Sequence, residues 1–262
     1  ATSASIGQAE FVGLPTDISI RAADISVDIN RASGVVPQSA PARAPPALNW
    51  TQAIDIDGDG VFADTVTAGT RTIALTSDFT GISGKLGLNA FHVLQVFASF
   101  EMTIRTVDVD VNGDGLINPG SGARTDLDDA QLLAIDLQFL QLNRAADLNG
   151  DGLVNAADAT IYDALKPASV SGTPVLPGFF VGVPGSVGFQ VNSGRLTFAT
   201  IKANPDATKS VDTTRAYTVI LAGVQGAGMV GLPEGIVIEA PHLDFQSNDS
   251  TLSTPTTKVA LD

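Results

Sequence analysis

The sequence predicts a mainly β protein: a β-solenoid-like or elongated β-sandwich built from stacked repeats, interrupted by a small α-helical insert. Three observations predict it. Apolar and polar residues alternate with period two over several long stretches. A Gly/Pro corner recurs at the ends of those stretches. Charged residues make up only 16% of the chain, below the ~25% usual for soluble domains, and the composition leans to strands and turns over a helical core.

The repeats come first because they set the architecture. Val12-Gly13-Leu14-Pro15 opens one copy and Val230-Gly231-Leu232-Pro233 opens another. A third begins at Phe180 with FVGVPG. A fourth match joins the stretch from Thr70 to the stretch from Thr214, aligning Gly84 with Gly228 and Gly87 with Gly231. Within the first copy Ile18 and Ile20, then Ile25, Val27 and Ile29, face one side, and Ser19, Arg21, Ser26 and Asp28 the other. Leu94, Val96, Ala98, Phe100, Met102 and Ile104 form another such run. A unit of about 20 residues cannot bury its own apolar face, so units must stack. Ala53-Ile54-Asp55 matches the final Val259-Ala260-Leu261-Asp262, the phase expected of a longer array joined head to tail.

Residues 1–107 are therefore read as a β-repeat region with a Pro-rich loop at 34–49. Residues 108–167 are the helical insert, and residues 168–262 a second β-repeat region. No basic segment followed by an apolar stretch opens the chain, which is expected to begin as a mature chain, a processed product or a fragment. No apolar run reaches the ~18–20 residues of a membrane span.

The net charge is −14, and a surface this acidic repels nucleic acid and anionic lipid. The absence of cysteine removes disulfides, thiolate metal sites and a Cys nucleophile. Much of the acid is gathered in three Asp/Asn-Gly loops, at 55–64, 110–121 and 147–158. That spacing belongs to calcium. A loop offers side-chain oxygens at positions 1, 3 and 5, a carbonyl at 7, a side chain or water at 9 and a carboxylate at 12, with Gly at 6 for the turn.

The third loop, DLNGDGLVNAAD, fills every position: Asp147, Asn149, Asp151, the Leu153 carbonyl, Asn155 and Asp158. The second, DVNGDGLINPGS, supplies Asp110, Asn112, Asp114, Leu116 and Asn118. Ser121 stands at its position 12, so Asp126, Asp128 or Asp129 is expected to close the shell, with Asp129 assigned to it and Asp108 a further candidate. The first, DIDGDGVFADTV, supplies Asp55, Asp57, Asp59, the Val61 carbonyl and Asp64, and the strand formers after it imply a turn between strands.

Residues 108–167 resemble a dockerin module, a pair of F-hand calcium loops each followed by a helix. The resemblance rests on DVNGDGLIN, DDAQLLAIDLQFLQLNR and DLNGDGLVNAADATIYDAL. It implies a helix capped by Thr125 or Asp126, with apolar residues from Leu132 to Leu142, and a second from Ala156 to Leu165, ended by Pro167. It also implies a cohesin-like protein partner. The β-repeats resemble those of giant bacterial extracellular surface and adhesin proteins, which implies a structural or adhesive role at the cell surface.

No nucleophile elbow, P-loop or dinucleotide glycine pattern occurs, and His92 and His242 stand far apart in sequence, so an enzyme is the least supported class. Trp50 reads as a core residue, with a carbohydrate or partner contact as the alternative. The expected role is a calcium-stabilised extracellular structural protein that self-associates head to tail through strand edges into a homopolymer. The alternative is a module whose helical insert docks a partner. Nucleic acid and a membrane span are not expected.

Overall fold

A computed structural model describes residues 1–34, 45–69, 71–117, 125–204 and 214–251. The alternating stretches become long strands: β1 (Thr2–Glu10), β2 (Ile18–Asn30), β5 (Phe79–Ala90), β6 (Leu94–Val109), β7 (Leu127–Phe139), β9 (Gly188–Lys202), β10 (Ala216–Val230) and β11 (Glu239–Thr251). Shorter strands are β3 (Val66–Ala68), β4 (Arg71–Ile73) and β8 (Phe179–Gly182), and α1 (Ala156–Leu165) is the one helix among the described residues. β3 and β4 form a separate hairpin. The rest make one antiparallel sheet in the order β1-β2-β5-β6-β7-β9-β10-β11, with β8 bridging β6 and β9 beside the end of β7. The chain is thus mainly β, as its alternation indicates.

The repeats turn out to be hairpins lying side by side in this sheet, not successive coils. Each Gly-x-Pro corner is the turn of one hairpin. Residues 12–15 join β1 to β2, where Ile18 donates its N–H to the Pro15 carbonyl at 2.9 Å. Residues 230–233 join β10 to β11, where Ile236 donates to Pro233 at 3.1 Å. Residues 183–187 join β8 to β9, where Ser186 donates to Val183 at 2.9 Å. Gly13 and Gly231 both hold positive φ, which explains the glycine at that step of the corner. The pairing of Gly84 with Gly228 and Gly87 with Gly231 does not extend to equivalent roles. Gly87 lies flat beneath α1, whereas Gly231 is a turn residue. Thr70, Asn118, Ser121, most of the Pro-rich loop and the match at 259–262 lie outside the described residues.

The sequence phase shift between Ile20 and Ile25 is a β-bulge. The β2–β5 register slips between Ala23 and Ser26, and Asp24 takes φ +51°. One extra residue there keeps Ile18, Ile20, Ile25, Val27 and Ile29 on one face, opposite Ala90, Leu88, Ile82 and Thr80 of β5, with Ile25 lying over Gly84. Lys85 then reaches the carboxylate of Asp24 at 2.7 Å on the other face.

Registers carry this division across the whole sheet, because directly opposed residues share a face. One row runs Val27, Ile82, Met102, Ile135, Phe198 and Ile220. The next runs Phe100, Leu137, Leu196, Ala222 and Phe245. Two more, through Leu86, Ala98 and Phe139 and through Leu88, Val96, Phe179 and Val191, complete an apolar face. The opposite face is polar: Ser26, Ser83, Glu101, Asp136 and Thr197 form one of its rows.

Both buried clusters lie on the polar side. In one, Ile161, Tyr162 and Leu165 of α1 join Ala23, Phe97, Leu142 and Leu148. In the other, Leu127, Ala130, Ala203 and Tyr217 pack together near the start of β7. Trp50 is a staple on that side. Its indole N–H donates to Asn30 at 3.0 Å, and the Asn30 amide donates to the carbonyls of Leu48 and Ser77.

The structure corrects one sequence reading outright. Residues 127–139, read as the first helix of the insert, form a central strand between β6 and β9. Leu133, Ile135, Leu137 and Phe139 fall on the apolar face and Ala134, Asp136 and Gln138 on the polar one. Segment 108–167 therefore contributes a strand to the sheet and one helix to its surface.

Candidate metal centres

The three acidic loops fold into one and the same hydrogen-bonded frame. In each, the first Asp uses both carboxylate oxygens on backbone N–H groups. Asp55 accepts from Gly58 and Gly60 at 2.7 and 3.0 Å. Asp110 accepts from Gly113 and Gly115, both at 2.7 Å. Asp147 accepts from Gly150 and Gly152 at 2.7 and 2.8 Å. These six glycines all hold φ between +76° and +86°, a conformation that L side chains avoid, which is why the motif is Gly-Asp-Gly.

Position 3 then accepts the N–H of position 5. Asp57 takes it from Asp59 at 3.1 Å, Asn112 from Asp114 at 2.8 Å and Asn149 from Asp151 at 3.0 Å. Position 5 accepts the N–H of position 7. Asp59 takes it from Val61 at 2.7 Å, Asp114 from Leu116 and Asp151 from Leu153, both at 2.8 Å. In the first loop the curl crowds the oxygens of positions 1, 3 and 5 at one place, and in the second those of positions 1 and 5. Each oxygen spends one lone pair on an N–H and keeps another.

A second carboxylate from farther along ties the start of every loop. Asp64 accepts from the N–H of Ile56 at 2.5 Å and of Asp57 at 3.3 Å. Asp126 accepts from Val111 at 2.9 Å. Asp158 accepts from Leu148 at 2.7 Å and Asn149 at 3.0 Å, and its other oxygen accepts from Asn155 at 2.7 Å. Asp158 is fully buried, as is Asp126. The N–H of Asn155 above all, with those of Asn149 and Leu148, holds the Asp158 carboxyl below the ordinary carboxylate range against the opposing effect of burial. The amide of Asn149 does the same for Asp151, helped by the Leu153 N–H.

Asn155 and Asp158 also start α1. Asn155 is its N-cap, accepting from Ala157 at 2.7 Å, and Asp158 closes a capping box by returning to the Asn155 N–H. The helix ends at Lys166, which turns extended ahead of Pro167. Its buried side places loop 147–158 against the polar face of the sheet. Loop 110–117 follows the end of β6 and precedes β7, whereas loop 55–64 lies between β2 and β3.

The acids that come together are Asp55, Asp57 and Asp59 in the first loop and Asp110, Asp114 and Asp126 in the second, each group offering oxygens within 4.8 Å of one another. This revises the second shell. Asp126 joins it, whereas Asp129, the residue assigned to it, lies with Asp108 and Asp128 in a separate group. There the Asp129 backbone takes φ +55° and donates its N–H to Asp108 at 3.0 Å. In the third loop Asp147, Asn149 and Asp151 form the frame, and the Asn155 amide donates to Asp151 at 3.1 Å. Asp158, read as the carboxylate at position 12, ties the loop backbone and caps the helix. Leu116 and Leu153 are exposed at position 7, as is Val61, whose carbonyl accepts from the Ala63 N–H at 3.0 Å.

Sequence spacing pointed to Asp64 and Asp158 but left Asp126 as one of three candidates, because the distance from the loop start differs: Asp64, Asp126 and Asp158 lie 9, 16 and 11 residues after the first Asp. The donor set is all hard oxygen, carboxylate with some amide, and fits a hard cation far better than a soft one. The histidines sit elsewhere. His92 approaches Asp17 at 3.8 Å in the β5–β6 turn, and His242 bonds Asp244 at 2.7 Å on β11. Comparison with family models, with curated proteins and with solved structures gives no match for this chain.

Proposed function

We propose that this chain is a calcium-stabilised extracellular structural protein, a subunit or repeat of a filament, surface layer or adhesin. The observation that carries the reading is the shared frame of the three loops. Three separate stretches adopt one backbone path whose effect is to gather oxygen atoms and negative charge. Without a cation such groups repel themselves. With one, they fasten connections between strands. Asp55, Asp57 and Asp59 would hold it in the first loop, Asp110, Asn112, Asp114 and Asp126 in the second, and Asp147, Asn149 and Asp151 in the third. Site affinities of ~10⁻⁴–10⁻³ M suffice at extracellular calcium levels.

Head-to-tail growth through strand edges is supported by the ends of the sheet. Among the described residues β1 and β11 are its two edge strands. β1 is exposed along its length and, over TSASIGQAE, carries one charge and no proline, so little in it discourages pairing with another strand. Pairing β11 of one copy with β1 of the next makes an open array. A docking role for a dockerin-like insert has less support, since residues 127–139 are sheet and the apolar side of α1 is packed against it.

Electron microscopy and calcium titration calorimetry test the reading together. The expected result is calcium uptake in the millimolar to submillimolar range and filaments that dissolve on chelation. A chain that takes up no heat with calcium, or that stays dispersed at high concentration in saturating calcium, would sink it.

A further inference from the structure

The sheet has a second surface that the calcium loops and strand edges do not use. Its apolar face carries no charged side chain in any of the four rows between β2 and β10. Among the described residues, α1 and both buried clusters sit on the polar face. The β3–β4 hairpin is tethered there too, through Arg71 donating to Ser3 and Ser5. The apolar rows are left half-buried by their own neighbours, and at the rims Ile6 is 49% and Phe245 57% exposed.

We propose that this face is the interface of a homodimer, in which two copies stack apolar face on apolar face into a two-layer β-sandwich. Area argues for it. The six strands from β2 to β10 at ~4.8 Å spacing by four rows at ~6.7 Å give roughly 770 Å² per copy, before the rim residues Ile6 and Phe245 are added. The pair would bury roughly 1,500 Å², a standard stable interface and well above incidental contact. Charge argues for a second copy in particular. An identical face brings no charge to be desolvated within those four rows, and the acid of the three loops and of the row through Glu101 and Asp136 lies off it; Asp249, in the next row with Leu133, Thr200 and Thr218, stands at its margin. Shape argues likewise. Two sheets of the same twist stack aligned at about −30° and about 10 Å apart, and a two-fold axis makes one patch complementary to itself. The pairing is closed at two copies, so it differs in kind from edge-to-edge growth and does not rest on it.

Sedimentation equilibrium of the full chain in chelator tests it. A monomer–dimer equilibrium with Kd of ~1 µM or tighter is expected. Phe245→Glu and Ile6→Glu, each at an exposed rim of the apolar face, are expected to weaken the dimer at least about tenfold. Leu221→Glu is the control. It is 43% exposed on β10 but faces the polar side, opposite Thr197 and Gln246, and it should leave the dimer unchanged. Circular dichroism and thermal unfolding of each variant separate lost folding from lost pairing. A wild-type chain that stays monomeric to about 100 µM overturns the proposal, as this is far above the expected Kd. So does a dimer weakened by Leu221→Glu and not by the folded rim variants. A monomer that instead binds phosphatidylcholine vesicles through this face overturns it in favour of lipid.

Discussion

Asp57→Asn separates the two things an acid cluster can be, a charged turn or a metal site. Asp55, Asp57 and Asp59 bring oxygens within 4.8 Å. Two unit charges at that distance repel by roughly 0.9 kcal/mol at the dielectric of water, and physiological salt screens this to about half. Removing the middle charge relieves two such pairs, about 1 kcal/mol in all. Against this stands the bond from the Asp59 N–H at 3.1 Å. An amide oxygen accepts it too, weaker by roughly 0.5 kcal/mol for want of charge. The geometry is no obstacle, since Asn112 and Asn149 hold the same position and accept the same N–H in the other loops. In chelator the variant should therefore be neutral or more stable by up to about 0.5 kcal/mol. Bound calcium inverts the sign. One ligand charge fewer lowers affinity by roughly tenfold, which removes about 1.4 kcal/mol of linked stability at saturation. The net loss in calcium is about 0.9–1.4 kcal/mol, so at roughly 2–4 °C per kcal/mol the melting temperature should rise slightly or hold in chelator and fall by about 2–5 °C in saturating calcium. Differential scanning calorimetry in the two buffers reads this directly. An equal shift in both would show that the loop answers to its own charge and not to a cation.

Other predictions follow from the rest of the sheet. Burial pushes the Asp136 carboxyl up, but the Arg195 guanidinium at 2.6 Å and the Thr197 hydroxyl at 2.8 Å outweigh it and hold the group below its ordinary range. The stability it contributes is present above the unfolded value near ~4 and is lost as pH falls through the folded one, so Asp136→Asn should flatten the acid limb of melting temperature against pH. The β5–β6 hairpin turns on Phe91 and His92, with φ +54° and +56°. Asn-Gly suits that turn, and Phe91→Asn with His92→Gly should stabilise by about 1–2 kcal/mol in urea unfolding, outweighing the exposed His92–Asp17 contact at well under 1 kcal/mol. Tyr162 donates its hydroxyl to the Pro174 carbonyl at 2.7 Å, and Tyr162→Phe should cost about 1–2 kcal/mol by the same measurement.

What the sequence made legible was local. The Gly-Asp-Gly step demands positive φ at both glycines, and any chain with that spacing curls the same way, so all three loop frames were readable before the fold. The shared face of Ile18, Ile20, Ile25, Val27 and Ile29 was readable too, but the alternation did not name the bulge at Asp24 that permits it. A shift of apolar phase between Ile20 and Ile25 is absorbed in a strand by an extra residue, and the registers place it there. The Gly-x-Pro corners were visible as breaks, though their meaning as hairpin turns in one sheet needed the partners of each strand.

The strand at 127–139 shows why the rest was hidden. LDDAQLLAIDLQF is made of good helix formers and follows a loop that elsewhere leads into a helix. After loop 147–158 a helix does form, because Asn155 and Asp158 supply a capping box within the loop's own reach. After loop 110–117 the equivalent carboxylate is Asp126, which ties Val111 from the very start of the next element and leaves no separate cap. Period two was present in Leu133, Ile135, Leu137 and Phe139, masked by Leu132 on the other face. The decision is made by β6, which pairs with the segment from Leu127 to Phe139, and by β9, which pairs with it from Gln131 to Phe139. Burying two backbone edges in a sheet outweighs a propensity difference of a few tenths of a kcal/mol per residue. Neither neighbour lies within reach of a sequence window centred on residue 133, so the helix is what local reasoning must return and the strand is what the sheet imposes.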